Sequence, residues 1–333
     1  MKAIIPVAGI GAKLRPHTHT QPKTLVPIAG KPILSHIVDF LIEGGIQDFI
    51  FVLGYLGDKI ESYISARYPE IRTEFVNQEP REGSAHAIWC CRELLKNEKE
   101  VFIMLGDTIA SFDLQAVLKA EYSTLGVKKV SNPLHFGIAE IGEDGFIKKL
   151  VEKPRIPKSN LALVGIYKIN QVAGLLEAID FLMKNHIKTN NEYHLTDALM
   201  RMIYQGDKMK KIQVDNWFDC GKKETLLMAN AILLNTQRFK KQTALHQYPE
   251  SIIIPPVSIG DNCRIEKSII GPNVAVGDHT IMTRAIVQDT IIGSYSELND
   301  VVLKNSIIGN DTSLKGLVQS LNVGDSTEIN FNK

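Results

Sequence analysis

The residues best placed to do chemistry start at Gly9-Ile10-Gly11, which follows the apolar run Lys2–Val7 and precedes Lys13 and Arg15. A second basic segment follows at Pro22-Lys23-Thr24-Leu25-Val26-Pro27, and Gly30-Lys31-Pro32 closes the region. Glycines at the end of a buried strand let backbone N–H groups come close to a phosphate, and lysines place mobile positive charge beside it. Neither common phosphate loop fits. A Walker loop needs Gly-x-x-x-x-Gly-Lys-Ser/Thr, and a dinucleotide fingerprint needs a third glycine where Leu14 stands, with an acidic residue about 20 positions on. Two carboxylates lie far along the chain. Asp107 ends the apolar run Phe102-Ile103-Met104-Leu105-Gly106, where on residue type alone it reads equally as a turn cap. Asp219 sits in Trp217-Phe218-Asp219-Cys220-Gly221, with Cys220 read as packing and Asp215 as a solvated turn residue.

The elements that must carry these groups read as alternating strands and helices. Strands are expected at Lys2–Val7, Phe49–Leu53, Thr73–Asn77 and Val101–Leu105. Between them, Pro32–Gly44, Gly57–Tyr68 and Ser84–Lys96 carry apolar residues at helical spacing. Pro32 suits a helix start and Gly44-Gly45 a stop. Such alternation predicts a mostly parallel sheet covered on both faces, with ligands at the carboxyl ends of its strands. Gly9-Gly11 and Gly106-Asp107 both fall there. Beyond residue 108 further strands are expected at Val127–Val130, Phe136–Ile141, Leu161–Ile169 and Lys210–Val214. Helices are expected at Gln171–Lys184, Leu195–Gln205 and Lys223–Asn235.

From Ile252 the texture changes. Aliphatic residues recur six apart (Ile253, Ile259, Ile265; Ile270, Val276, Met282; Ile292, Leu298; Ile308, Leu314), and Ile-Ile-Gly occurs at Ile269, Ile291 and Ile307. This hexapeptide pattern predicts a left-handed parallel β-helix of about four coils. The expected division is 1–235 for the α/β domain, 236–251 for a connector, 252–316 for the β-helix and 317–333 for a cap or tail.

The N-terminal motifs resemble those of sugar-phosphate nucleotidyltransferases, Gly-x-Gly-Thr-Arg-Leu-x-Pro…Pro-Lys-x-Leu-x-Pro…Gly-Lys-Pro, with Ala12-Lys13 in place of Thr-Arg. The resemblance continues through Gln78-Glu79-Pro80-Arg81-Glu82-Gly83, Gly106-Asp107, Phe136-Gly137-Ile138, Glu152-Lys153-Pro154, Glu192-Tyr193-His194-Leu195-Thr196-Asp197 and Trp217-Phe218-Asp219-Cys220-Gly221. It implies a Rossmann-like nucleotide-diphospho-sugar transferase domain with a mixed, mostly parallel sheet, and the β-helix matches the longer members. It also implies a Mg²⁺-dependent attack of a sugar 1-phosphate on the α-phosphorus of a nucleoside triphosphate. Nucleotide binding then falls to Ala8, Gly9, Gly11, Lys13, Gln78 and Gly83, and sugar-phosphate binding to Gly137, Glu152, Lys153 and Glu192. The catalytic set is Lys13, Lys23, Asp107, Lys153 and Asp219, with Asp107 and Asp219 as metal ligands. Glu192 and Asp197 serve equally well as helix N-terminal residues. The pairing of dTTP with glucose 1-phosphate is favoured; UTP with glucose 1-phosphate and GTP with mannose 1-phosphate are alternatives. A non-catalytic paralogue that binds nucleotide, and acyl transfer on the β-helix, are readings of other classes.

Composition narrows the partners. Lys+Arg of 38 against Asp+Glu of 37 leave the 333-residue chain at +1, so no global field is built for nucleic acid or an acidic membrane. With 44% hydrophobic and 23% charged residues it reads as a soluble globular protein. No apolar run approaches the ~20 residues of a membrane span, and no secretory leader is evident. The four cysteines form no CxxC or disulfide framework, which together points to the cytoplasm and reduced thiols. The expected partners are therefore small molecules and further copies of the chain, associated partly through the β-helix.

Overall fold

The computed structural model describes residues 1–236, 248 and 250–316. The chain forms two compact units, Met1–Ile232 and Leu233–Lys333. Most of the expected connector at 236–251, and all of the tail at 317–333, lie outside the described residues.

The first unit is built on a mixed nine-stranded sheet. Lys2–Pro6 lies at its centre, parallel to Asp48–Leu53 on one side and to Val101–Met104 on the other, and Arg72–Asn77 extends the parallel half. Ala3, Ile4 and Ile5 are fully buried, as a strand covered on both faces requires. Leu161–Ile169 joins antiparallel to Val101–Met104 and pairs with Ser123–Lys129 and Gly137–Ile141. Ile147–Glu152 closes that edge antiparallel to Gly137–Ile141.

The helices Ile33–Glu43, Gly57–Arg67, Val172–Lys184 and Leu195–Tyr204 fall where apolar spacing places them. The expected single helix at Ser84–Lys96 is instead two, Ser84–Cys90 and Arg92–Leu95. At the break the Cys91 N–H bonds to the Ile88 carbonyl three residues back and Leu94 N–H to that of Cys91, so the turn tightens. Several strands escape the periodicity, among them Thr108–Ala110, Ile147–Glu152 and Trp217–Asp219. Two of them, Thr108–Ala110 and Trp217–Asp219, form a separate antiparallel ribbon.

The second unit stacks parallel strands in three four-stranded sheets, consistent with a left-handed β-helix of four coils. The expected columns form in register: Ile265, Met282, Leu298 and Leu314 in one sheet, Ile259, Val276, Ile292 and Ile308 in another. Val287 and Leu303 complete the third column behind Ile253 and Ile270. Corners recur with left-handed residues one coil apart, such as Asn262, His279, Tyr295 and Asp311. Asn, Asp and His tolerate that conformation better than most residues do.

Candidate active site

Where the central strand ends, Val7 and Ala8 remain buried and the chain opens at Gly9. A Cβ on Gly9 would meet nothing within 4 Å, so its backbone faces open space. Gly11 is left-handed (φ 68°) and starts the 3₁₀ turn Ala12–Leu14; its carbonyl accepts from Leu14 N–H and from the Thr18 hydroxyl, both at 2.9 Å. Together these residues form one wall of a cavity of about 600 Å³, whose other walls include Lys23, Gln78, Gly83 and Asp107. The Lys13 side chain is exposed and lies off that wall, although its charge reaches Asp219.

The two carboxylates meet through the ribbon. Asp219 pairs with Thr108, the residue after Asp107, and the Cys220 N–H donates to the Asp107 carbonyl at 3.0 Å. Lys23, held in the 3₁₀ turn Lys23–Leu25, donates from Nζ to Asp107 Oδ2 and stands 3.7 Å from Asp219 Oδ1. Burial opposes the Lys23 charge, but Asp107, and then Asp219, more than compensate and hold its pKa above the usual value. Burial and the Asp107 charge push the Asp219 carboxyl upward, against Lys23 and Lys13. Burial likewise keeps Cys220 a thiol, which fits a packing role.

On the far side of this cavity lies the segment after strand Arg72–Asn77. Gln78 donates through Nε2 to the Gly83 carbonyl at 2.8 Å. Gly83 has φ +107°, and a Cβ there would come within 2.5 Å of the Tyr193 carbonyl, so only glycine fits. Ser84 then begins its helix, its hydroxyl accepting from Leu195 N–H at 2.9 Å.

A second cavity of about 210 Å³ shares Ser84, Leu105 and Asp107 with the first. Gly137, Glu152, Thr196 and Asp219 line it, with Phe136 and Trp217 meeting edge to face at 5.0 Å. The Glu152 carboxylate accepts from the Thr196 hydroxyl at 2.7 Å and lies 3.6 Å from His194 Nδ1. Lys153 is left-handed (φ 41°), with Nζ 3.6 Å from Glu152 Oε1.

A sequence model of the Nucleotidyl transferase family matches residues 2–236. The chain belongs to that family. It is 35% identical over 236 residues to the bifunctional protein GlmU of Methanocaldococcus jannaschii, a match covering 71% of this chain and 55% of that protein. Along nearly its whole length it is similar to a glucose-1-phosphate thymidylyltransferase of Streptomyces griseus, at 26% identity over 93% of this chain and 92% of that one. The structure of a UDP-glucose pyrophosphorylase from Acinetobacter baumanii shares the fold, with TM-score 0.59 at 22% identity over 72% of this chain and 96% of that one.

In this nucleotidyl transferase the expected residues divide between the two cavities. Ala8, Gly9, Gly11, Lys23, Gln78 and Gly83 line the larger, Gly137, Glu152 and Asp219 the smaller, and Asp107 both. Glu192 lies beside Gly83 on the larger cavity, not on the smaller one with Glu152. Its side chain is half exposed and 3.7 Å from His194 Nε2. Neither Lys153 nor Lys13 lines either cavity: both are exposed, and Lys153 stands beside Glu152. Sequence reasoning gave no role to Thr24, Arg81, Thr196 or Trp217, which line the cavities. All four lie inside the motifs that carry the resemblance, and the hydroxyl of Thr196 next to Asp197 is the signal that points to it.

Asp107 and Asp219 offer oxygen donors, which suits Mg²⁺. Among the described residues no group of three or more His, Cys, Asp or Glu side chains could hold a metal ion. Two carboxylates then fit an ion that takes its remaining oxygens from phosphates and water. All four cysteines are free, and no helix among the described residues is long and apolar enough to cross a membrane.

Proposed function

We propose that this chain joins a nucleoside triphosphate to a sugar 1-phosphate, forming a nucleotide sugar and releasing pyrophosphate. The observation that carries this reading is the meeting of the two cavities at Asp107, with Asp219 and Lys23 at the junction. The triphosphate takes the larger cavity, its phosphates against the Gly9–Gly11 backbone and its base against Gln78 and Gly83. The sugar phosphate takes the smaller one, its hydroxyls on Glu152 and the Gly137 backbone. A phosphate oxygen of the sugar attacks the α-phosphorus, and the bond to the β-phosphate oxygen breaks in line. Protein groups then serve to position and to neutralise charge, with Lys23 at the reacting phosphates and Lys13 and Lys153 at the flanks. Mg²⁺ held by Asp107 and Asp219 would supply charge neutralisation at the phosphates.

Of the substrates, dTTP with glucose 1-phosphate is the first pairing and UTP the second. Support for the first comes from the thymidylyltransferase of Streptomyces griseus, which matches in length as well as in sequence. Among the relatives is also a bifunctional sugar-1-phosphate nucleotidylyltransferase/acetyltransferase from Sulfurisphaera tokodaii, 31% identical, of whose length this chain spans 57%. That relative motivates a test of acetyl transfer to glucosamine 1-phosphate alongside.

Association between copies through the β-helix belongs to the same reading. Ile252, Ile269, Ile286 and Val302 stand in register on one sheet, and Ile252 and Val302 are 60% and 76% exposed. Stacked coils with such a column favour self-association. Light scattering of the full chain and of an Ile286→Lys variant tests this; a monomer in both cases removes it.

The decisive assay is pyrophosphate release from dTTP, UTP, GTP, CTP and ATP against glucose, mannose, galactose and N-acetylglucosamine 1-phosphates, with and without Mg²⁺. Metal-dependent release with a pyrimidine triphosphate supports the proposal. No release from folded protein that binds nucleotide would make the chain a regulatory paralogue, with Ala12-Lys13 its mark.

A further inference from the structure

We infer that His86 is a positioning residue for base selection, holding the Gln78 amide so that only its carbonyl oxygen faces the nucleotide cavity. This inference rests on the proposed reading of that cavity as the triphosphate site.

Gln78 is 6% exposed and lines the cavity. Its Nε2 donates to the Gly83 carbonyl at 2.8 Å and lies 3.4 Å from His86 Nδ1. An amide nitrogen has two hydrogens and accepts nothing, so these two partners occupy it. The opposite orientation would press Oε1 against the Gly83 carbonyl, acceptor on acceptor. No group among the described residues donates to Oε1, which is therefore the atom left for a ligand.

His86 is built for this task. It sits on the helix Ser84–Cys90, 5% exposed, with its ring stacked on Trp89 at 5.9 Å and its Nε2 3.7 Å from Cys90 Sγ. Burial lowers its pKa, against the Glu82 charge and the Pro80 carbonyl, so the ring is neutral at pH 7. A neutral ring keeps one nitrogen as an acceptor. Assigning that role to Nδ1 places the ring proton on Nε2, toward the sulfur.

The consequence is chemical. An acceptor facing the base calls for a donor, and N3 of uracil or thymine carries a hydrogen. In the same register cytosine presents a lone pair from N3, and two acceptors meet. A locked amide thus favours pyrimidinediones over cytosine, whereas one free to turn would serve either base.

The test compares UTP, dTTP and CTP in pyrophosphate release and in direct binding, for the full chain and for His86→Leu, His86→Asn and His86→Gln. Asparagine keeps an acceptor near the Nδ1 position, while leucine removes it and glutamine places it near Nε2. The UTP-to-CTP preference is expected to fall about tenfold in His86→Leu and His86→Gln, chiefly through KM, and to return in His86→Asn. His86→Gln alone carries the comparison if His86→Leu does not fold. Nucleotide binding with the same preference in every variant overturns the role of His86. A folded wild-type chain that binds none of the three nucleotides overturns the reading of the cavity itself.

Discussion

Cys220 donates its backbone N–H to the carbonyl of Asp107 across 3.0 Å, tying together two segments more than a hundred residues apart. With Asp219 paired to Thr108 in the adjoining ribbon, this bond sets both carboxylates around one lysine. The geometry makes the two aspartates a unit, so their removal should not be additive. Asp107→Asn and Asp219→Asn are each expected to lower kcat/KM at least 10²-fold, the scale of losing one preorganised electrostatic partner. The double variant should lose little more. A Mg²⁺ titration of each variant checks this, and full activity in either would separate that residue from the reaction.

The two lysines of the loop region should differ. Lys23 is buried between the carboxylates, whereas Lys13 is exposed. Lys23→Ala is expected to remove most turnover, while Lys13→Ala stays within about tenfold of wild type, the scale of one ordinary hydrogen bond. Ala12→Thr with Lys13→Arg should change kcat/KM by a similar factor, since an arginine fork adds a second hydrogen bond at most. Steady-state kinetics with the preferred substrate pair would decide.

Thr196 holds Glu152 by a 2.7 Å hydrogen bond inside the smaller cavity. Thr196→Val frees that carboxylate at nearly constant volume. Hydrogen bonds to charged groups are worth about 1.5–3 kcal/mol, so KM for the sugar phosphate should rise tenfold or more. KM for the triphosphate should not move. A matching rise in both would place Thr196 in general folding instead.

The β-helix has its own core, in which Ile270, Met282 and Val287 are fully buried. Ile270→Ala should cost about 2–5 kcal/mol, the usual cost of emptying a packed aliphatic site. Denaturant unfolding would measure it. A loss below about 1 kcal/mol would mean that the coils collapse around the gap.

Asp48 and Arg72 stand directly opposite in the parallel ladder and form a surface ion pair. The Arg72 hydrogen bond, against a smaller effect of burial, holds the Asp48 carboxyl below its usual pKa. A folded pKa below the unfolded one stabilises above the unfolded value of 3.8 and is lost as pH falls through the folded value. Exposure limits the effect, so Asp48→Asn should cost less than about 1 kcal/mol at pH 7 and less still at pH 2. Urea unfolding at the two pH values tests the sign.

Local pattern was enough to identify the strands Lys2–Pro6 and Leu161–Ile169, the paired helices around them and the coils of the second unit. Their periodicity reflects burial on one face or two, which is written into residue type along the chain. Gly83 was legible only through the resemblance, and the structure supplies the reason: glycine alone suits its backbone and the neighbouring Tyr193 carbonyl. The short ribbon of Thr108–Ala110 and Trp217–Asp219 was not legible as strand, since three residues are too few to display a period.

What the sequence determined by itself was therefore the kinds of element and the chemistry carried at their ends: glycines and lysines beside a buried strand, and aspartates in apolar settings. The tertiary structure alone decided which of those groups share space. It brought Lys23 to Asp107 and Asp219, gave Thr196 to Glu152 and set Glu192 beside Gly83. The reason is physical. Burial and backbone conformation act on neighbouring residues and leave a local trace, whereas a contact between distant side chains depends on sheet register and on long-range pairing.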